Sequence, residues 1–86
     1  NLSTATEGYV VGMADVLRVS IYPDEGLTGD YTVGYDGKIS VGRIGTIVAS
    51  GNTTNQIEEL IRERLKKYVQ DPQVSINIKE FKSCDI

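Results

Sequence analysis

An α+β fold, in which about five mostly antiparallel strands pack in two layers against one amphipathic helix, follows from three features of this 86-residue sequence. Segments of strict period-two alternation, rich in β-branched residues, stand near both ends of the chain, at 15–22 and 73–81. An Asp36-Gly37 pair separates two further alternating segments. One stripe of apolar residues at three- and four-residue steps runs through 52–69. Alternation places side chains on opposite faces of a strand, whereas the three-and-four spacing gathers them on one face of a helix. A sheet and a helix, each apolar on one side, bury those sides against each other.

The elements follow in order. Residues 1–8 are polar and are expected to form a frayed start or a linker, with the domain proper over 9–83 and a following segment opening at 84–86. Tyr9, Val10 and Val11 suggest a short strand. From Asp15 to Tyr22, Leu17, Val19 and Ile21 face one way and Arg18 and Ser20 the other, which makes a half-buried strand. Pro23 ends it, and Asp24-Glu25-Gly26 supplies a loop. Residues 30–35 and 38–41 are expected to form a hairpin, because Asp-Gly suits a type I′ turn with positive φ at both central positions. Residues 43–49 make a further strand, with Gly42 and Gly45 marking a bend or bulge.

The helix is expected over 52–69, with Ile57, Leu60, Ile61, Leu65 and Tyr68 on its buried stripe. Thr53 and Gln56 fit a capping box. Glu58 with Arg62 and Glu63 with Lys67 are spaced for ion pairs on the wet face, acidic early and basic late. Asp71-Pro72 stops the helix, since proline cannot continue it. In the last strand Val74, Ile76 and Ile78 point inward, and Ser75, Asn77 and Lys79 outward.

Composition narrows the function. Net charge is −3, and the basic residues at 62, 64, 66 and 67 sit among glutamates on one helix, so no phosphate-binding patch exists and no nucleic-acid partner is expected. The chain has no histidine and one cysteine, Cys84, so it is expected to need no metal or other cofactor. No apolar run approaches the roughly 20 residues that span a bilayer. Asp15, Asp24, Glu25, Asp30 and Asp36 all fall at turns or strand ends, where local chemistry already explains a carboxylate. The serines lack a base, and no phosphate-cradling glycine pattern occurs. The five tyrosines suit the rim of a small core, though Tyr9, Tyr22 and Tyr31 are candidates for glycan or subunit contact. Tyr68, on the expected core stripe, is the poorest candidate.

Taken together, the motifs resemble those of the polysaccharide biosynthesis/export domain of outer-membrane polysaccharide export proteins. Tyr9 through Tyr22 (YVVGMADVLRVSIY) is similar to that family's opening signature, in which Gly-Asp-Val-Leu-Arg-Ile-Ser-Val-Trp follows a Tyr and a Gly. Leu27 through Val33 resembles its Leu-Ser-Gly-Glu-Tyr-Thr-Val, and Asp36-Gly37-Lys38-Ile39-Ser40 with Ile44-Gly45 its Asp-Gly-Lys-Ile-Ser and Ile-Gly core. The helix, and Tyr68 through Ile76 (YVQDPQVSI), complete the series. The resemblance thus singles out Gly12, Asp15, Asp36, Gly37, Gly45, Asp71 and Pro72 as structural motif residues. Three departures bear on loop geometry and leave the hydrophobic pattern untouched: Met13-Ala14 replaces Pro-Gly, Tyr22 replaces Trp, and Gly42 replaces Pro.

The resemblance implies transport by assembly and no catalysis. Such proteins are outer-membrane lipoproteins that self-associate into a ring, with this domain on the periplasmic side. Capsular or extracellular polysaccharide passes through the ring, handed over by an inner-membrane copolymerase that often carries a tyrosine kinase. The lipid-bearing cysteine precedes the domain in the family, so Cys84 does not correspond to it. Two other readings compete: a stand-alone glycan-binding module using exposed tyrosines, and a small carboxylate enzyme, which would need two opposed carboxyl groups across a cleft.

Overall fold

Alternation becomes structure in β1 (Val16–Tyr22), where Leu17, Val19 and Ile21 are buried and Arg18, Ser20 and Tyr22 exposed. The computed structural model describes residues 8–23 and 25–82. The expected leading segment up to residue 7, Asp24, and the closing segment with Cys84 lie outside the described residues. After β1 come a single 3₁₀ turn (Glu25–Leu27), β2 (Gly29–Thr32), β3 (Lys38–Val41), a second 3₁₀ turn (Gly42–Ile44) and β4 (Gly45–Val48). The helix α1 (Thr54–Leu65) and the last strand β5 (Gln73–Glu80) complete the order. The Tyr22–Pro23 peptide is cis.

The strands form two antiparallel sheets, one ordered β2-β1-β5 and the other a β3-β4 pair. The first and last strands are thus neighbours, with Ser20 opposite Ser75 and Tyr22 opposite Gln73. Inward side chains of both sheets, Leu17, Val19, Ile21, Ile39, Val41, Ile47 and Ile76, meet Ile57, Ile61 and Leu65 of the helix in one core. Each such side chain contributes about 1.5–3 kcal/mol on full burial, and that burial, more than helix propensity, holds a 12-residue helix in place.

The expected hairpin between residues 30–35 and 38–41 is corrected. Asp36-Gly37 does reverse the chain, but through a three-residue loop in which, of the two, only Gly37 has positive φ (79°). Gly34 donates its N–H to the Lys38 carbonyl (3.0 Å) and accepts from the Gly37 N–H (2.9 Å). The strands on either side then part. β2 pairs with β1, a ladder extended by Ala14 N–H to the Val33 carbonyl and Val33 N–H to the Asp15 carbonyl (both 2.9 Å). β3 pairs with β4, its nearest partner along the chain. Gly42 (φ 42°) and Gly45 (φ 86°) are therefore the hairpin turn itself, and the strand expected over 43–49 shortens to Gly45–Val48. An Asp-Gly pair specifies a reversal; it does not specify which strand the returning chain will meet.

The helix is also shorter than its periodicity suggests, ending at Leu65 with a turn over 66–68. The capping box forms as expected: Thr53 Oγ1 accepts the Gln56 N–H (3.3 Å) and Gln56 Oε1 accepts the Thr53 N–H (2.8 Å). Two stripe members are corrected, for Leu60 (41% exposed) and Tyr68 (54%) lie outside the core. Thr54, Ile57, Ile61 and Leu65 form the buried face, and Leu60 lies about 100° round the axis from its centre. Tyr68 falls beyond the last helical turn and swings outward. The ion pairs shift by one residue, to Glu59 with Arg62 and Glu63 with Lys66, and the first turn carries no acid. Glu58 is thereby released to accept the Ile76 N–H (2.8 Å), which ties the helix to the outer edge of β5. Tyr9–Val11 makes only an isolated bridge, Val10 with Thr53, in place of a strand.

Candidate functional site

Three regions gather the residues that the sequence marks. The first surrounds Asp15, which is fully buried. Its Oδ2 accepts the Tyr9 hydroxyl (2.6 Å) and the Gly12 N–H (3.0 Å). Its own N–H meets the Gly12 carbonyl (3.3 Å), closing a β-turn with Met13 and Ala14 at its centre. Ala14 sits at φ 74°, the left-handed region expected at the third position of a type II turn, which glycine enters without steric cost. The Tyr9 ring meets Phe81 edge-on at 4.9 Å. A buried carboxylate held by a hydroxyl and a backbone N–H is structural, pinning the chain as it enters β1. Tyr9 therefore packs at the core rim.

Asp36 and Gly37 lie close by. Asp36 Oδ1 accepts the Lys38 N–H (3.1 Å), and the Gly37 carbonyl receives the N–H groups of Ala49 (2.8 Å) and Ser50 (2.9 Å). A side chain at Gly37 would stand 2.9 Å from the Ser50 Cβ. Around these turns Met13, Tyr35 and Val48 are exposed, Tyr35 at 90%, and line a shallow groove of about 210 Å³. Three apolar side chains thus face solvent along one groove.

The second region is the outer face of the β2-β1-β5 sheet. Arg18, Ser20 and Tyr22 of β1 stand beside Gln73, Ser75, Asn77 and Lys79 of β5 on the face turned away from the core. Asp30 of β2 binds Arg18 (3.0 Å) and Lys79 (2.6 Å). Hydrogen bonds from Lys79 and then Arg18 hold the Asp30 carboxyl below the usual carboxylate range. At the far end of this face a broad open pocket of about 560 Å³ is lined by Ser20, Tyr22, Glu25, Thr28, Gln73 and Ser75. Its wall is the loop after β1, folded back by Thr28, whose Oγ1 accepts the Ile21 N–H (2.9 Å) and donates to the Ile21 carbonyl (3.2 Å).

The third region holds the remaining motif residues, which no ligand site unites. Gly45 closes the β3-β4 turn beside Arg64, whose Nη1 donates to the Ile44 carbonyl (3.0 Å). Asp71 (φ 52°) and the buried Pro72 turn the chain from the helix into β5. Tyr31 is half-buried, its hydroxyl bonded to the Leu27 carbonyl, and burial pushes its phenol up. The three candidate tyrosines thus part company, and only Tyr22 presents its ring to solvent in a pocket. Tyr68 is the reverse of its expected role, exposed with the Arg43 guanidinium 5.8 Å from its ring centre.

Ser20, Thr28, Gln73 and Ser75 were not marked as site residues by the sequence. The outward positions of 15–22 and 73–81 were visible in the alternation; their adjacency was not, because nothing local says that the first and last strands pair. Among the described residues no three acidic or thiol side chains converge as a metal site, and no helix is long and apolar enough to cross a membrane.

Comparison with known proteins places these features. The model of the family described as "Polysaccharide biosynthesis/export protein" matches residues 3–79. The chain is 33% identical over 95 aligned positions to the exopolysaccharide production protein ExoF of Rhizobium meliloti (strain 1021). That alignment takes in 95% of this chain and 22% of ExoF, so the chain spans about a fifth of that relative's length.

Proposed function

The chain belongs to the polysaccharide biosynthesis/export protein family, and from that premise we propose that it is the periplasmic module of an outer-membrane conduit for capsular or extracellular polysaccharide. The observation that carries this reading is the family match across 3–79, which takes in every strand but the last residue of β5, and the helix. The role in the relative's name, exopolysaccharide production, points the same way.

Within that role the module is a passive building block. Three of the aspartates that could have served an enzyme have structural partners: Asp15 pins a turn, Asp36 shapes another, and Asp30 bridges Arg18 and Lys79. The domain is one piece of a longer protein that forms a ring, and the groove at Met13, Tyr35 and Val48 is where a neighbouring subunit rests. Apolar side chains exposed together support that placement. An inner-membrane copolymerase, often carrying a tyrosine kinase, delivers the polymer from below.

Two measurements test the reading. In cells lacking the full-length protein, polymer outside the cell falls and polymer inside the envelope accumulates; unchanged external polymer contradicts the proposal. Sedimentation of the full-length protein in detergent shows a closed oligomer that Met13→Asp with Val48→Asp dissociates. A wild-type protein that sediments only as a monomer rules out the ring.

A further inference from the structure

We infer that the pocket at the end of the outer sheet face is a weak saccharide subsite, with Tyr22 as the stacking platform and Ser20, Gln73, Ser75 and Glu25 as the polar rim. The inference rests on the export reading and goes beyond it by naming the contact residues and the kind of contact. Tyr22 is 62% exposed, so its ring gains little from the core, yet it stands in a depression whose volume of about 560 Å³ falls within the range of small-ligand pockets. A pyranose ring offers two chemistries: a face of C–H groups and an edge of hydroxyls. The flat apolar body of a tyrosine matches the first. Two hydroxyls, a side-chain amide and a carboxylate match the second, since each can accept from or donate to a sugar hydroxyl.

The strand register makes this a built arrangement. Ser20 opposes Ser75 and Tyr22 opposes Gln73, so four outward side chains form a two-by-two grid on paired strands. The loop carrying Glu25 closes one side, fixed by the paired bonds of Thr28 to Ile21. Beyond the grid the face continues as Asn77 and the Arg18–Asp30–Lys79 cluster. The two cations of this face, Arg18 and Lys79, are balanced by Asp30 and Glu25, which leaves no strong field to capture an anionic polymer. Contact is therefore by stacking and hydrogen bonds, weak enough to let a chain move on.

The test is a titration of the ¹⁵N-labelled chain with cellopentaose and with pentagalacturonate, read by amide shifts. Both produce shifts at Ser20, Tyr22, Gln73 and Ser75 with a millimolar dissociation constant, about −4 kcal/mol or weaker. Added salt leaves both unchanged. Tyr22→Ala abolishes the shifts without altering the thermal midpoint, Tyr22→Trp keeps them, and Tyr35→Ala, at a more exposed ring outside the pocket, has no effect. Absence of shifts at these residues with both probes, equal shifts in Tyr22→Ala, or binding of the anionic probe alone that salt removes overturns the subsite. Export by the full-length protein is read separately. Normal external polymer in Tyr22→Ala cells with a blank titration removes the subsite and leaves the export reading standing. Normal polymer in cells lacking the protein removes the export reading instead.

Discussion

At the scale of single residues, Ala14 and Asp30 show how local chemistry sets what this chain tolerates. Ala14 carries a Cβ in the left-handed region, where the family resemblance places glycine. That conformation costs a non-glycine residue on the order of 1 kcal/mol, partly offset by the greater freedom glycine has when unfolded. Ala14→Gly is expected to stabilise the domain by up to about 1 kcal/mol, a rise of a few degrees in the thermal midpoint. A fall would mean that the turn is not type II. Asp30 makes a different kind of prediction. Its carboxyl is lowered by Lys79 and Arg18, so its folded-state value lies below its unfolded one. The stability it contributes is fully present above the unfolded value, near pH 4, and is lost as pH falls through the lowered one. Asp30→Asn is expected to lower stability modestly at neutral pH, because solvent screens the cluster, with the deficit shrinking as pH falls through the lowered carboxyl, so that the acid limb of a urea-unfolding profile flattens. The motif aspartates at 15 and 36 were legible from sequence as turn residues; that Asp15 is buried and grips Tyr9 was not, since burial depends on what folds over the turn.

At the scale of elements, periodicity named the right segments and overreached at their ends. β1 follows its alternation residue for residue, because one face is buried and a slip would expose it. β5 keeps the same alternation, with Val74, Ile76 and Ile78 its more buried positions. The helix shows the limit. Leu60 and Tyr68 fit a three-and-four count, yet the buried face is only wide enough for Thr54, Ile57, Ile61 and Leu65. Ile61→Ala is expected to cost about 2–5 kcal/mol, enough to unfold much of a domain this small, whereas Leu60→Ala should cost under about 1 kcal/mol. Denaturant midpoints of the two variants decide it; equal losses would place Leu60 in the core after all. The β3-β4 turn offers a second test. Gly42 has φ 42°, which proline cannot adopt, and a Cβ there would collide with Leu27 Cδ2. Gly42→Pro should therefore destabilise by roughly 3 kcal/mol or more, even though the family pattern has proline at that position. An unaffected melting curve would show that the turn can take another form.

At the scale of the whole molecule, the pairing of the first and last strands is the feature from which the rest follows. It sets Ser20 and Tyr22 beside Gln73 and Ser75, gives the helix a floor, and leaves a polar face toward solvent. The sequence supported the α+β class and the family because both rest on local pattern and order. It was silent on the division into two sheets and on the pocket, which depend on strand pairings made across long stretches of chain. The central claim is that this domain serves as a passive part of a polysaccharide conduit. It is tested most directly by removing residues 8–82 from the full-length protein and weighing polymer outside the cell against polymer trapped in the envelope, with membrane levels of the protein matched. The expected result is loss of external polymer and accumulation within the envelope. Undiminished external polymer from the shortened protein would contradict the claim.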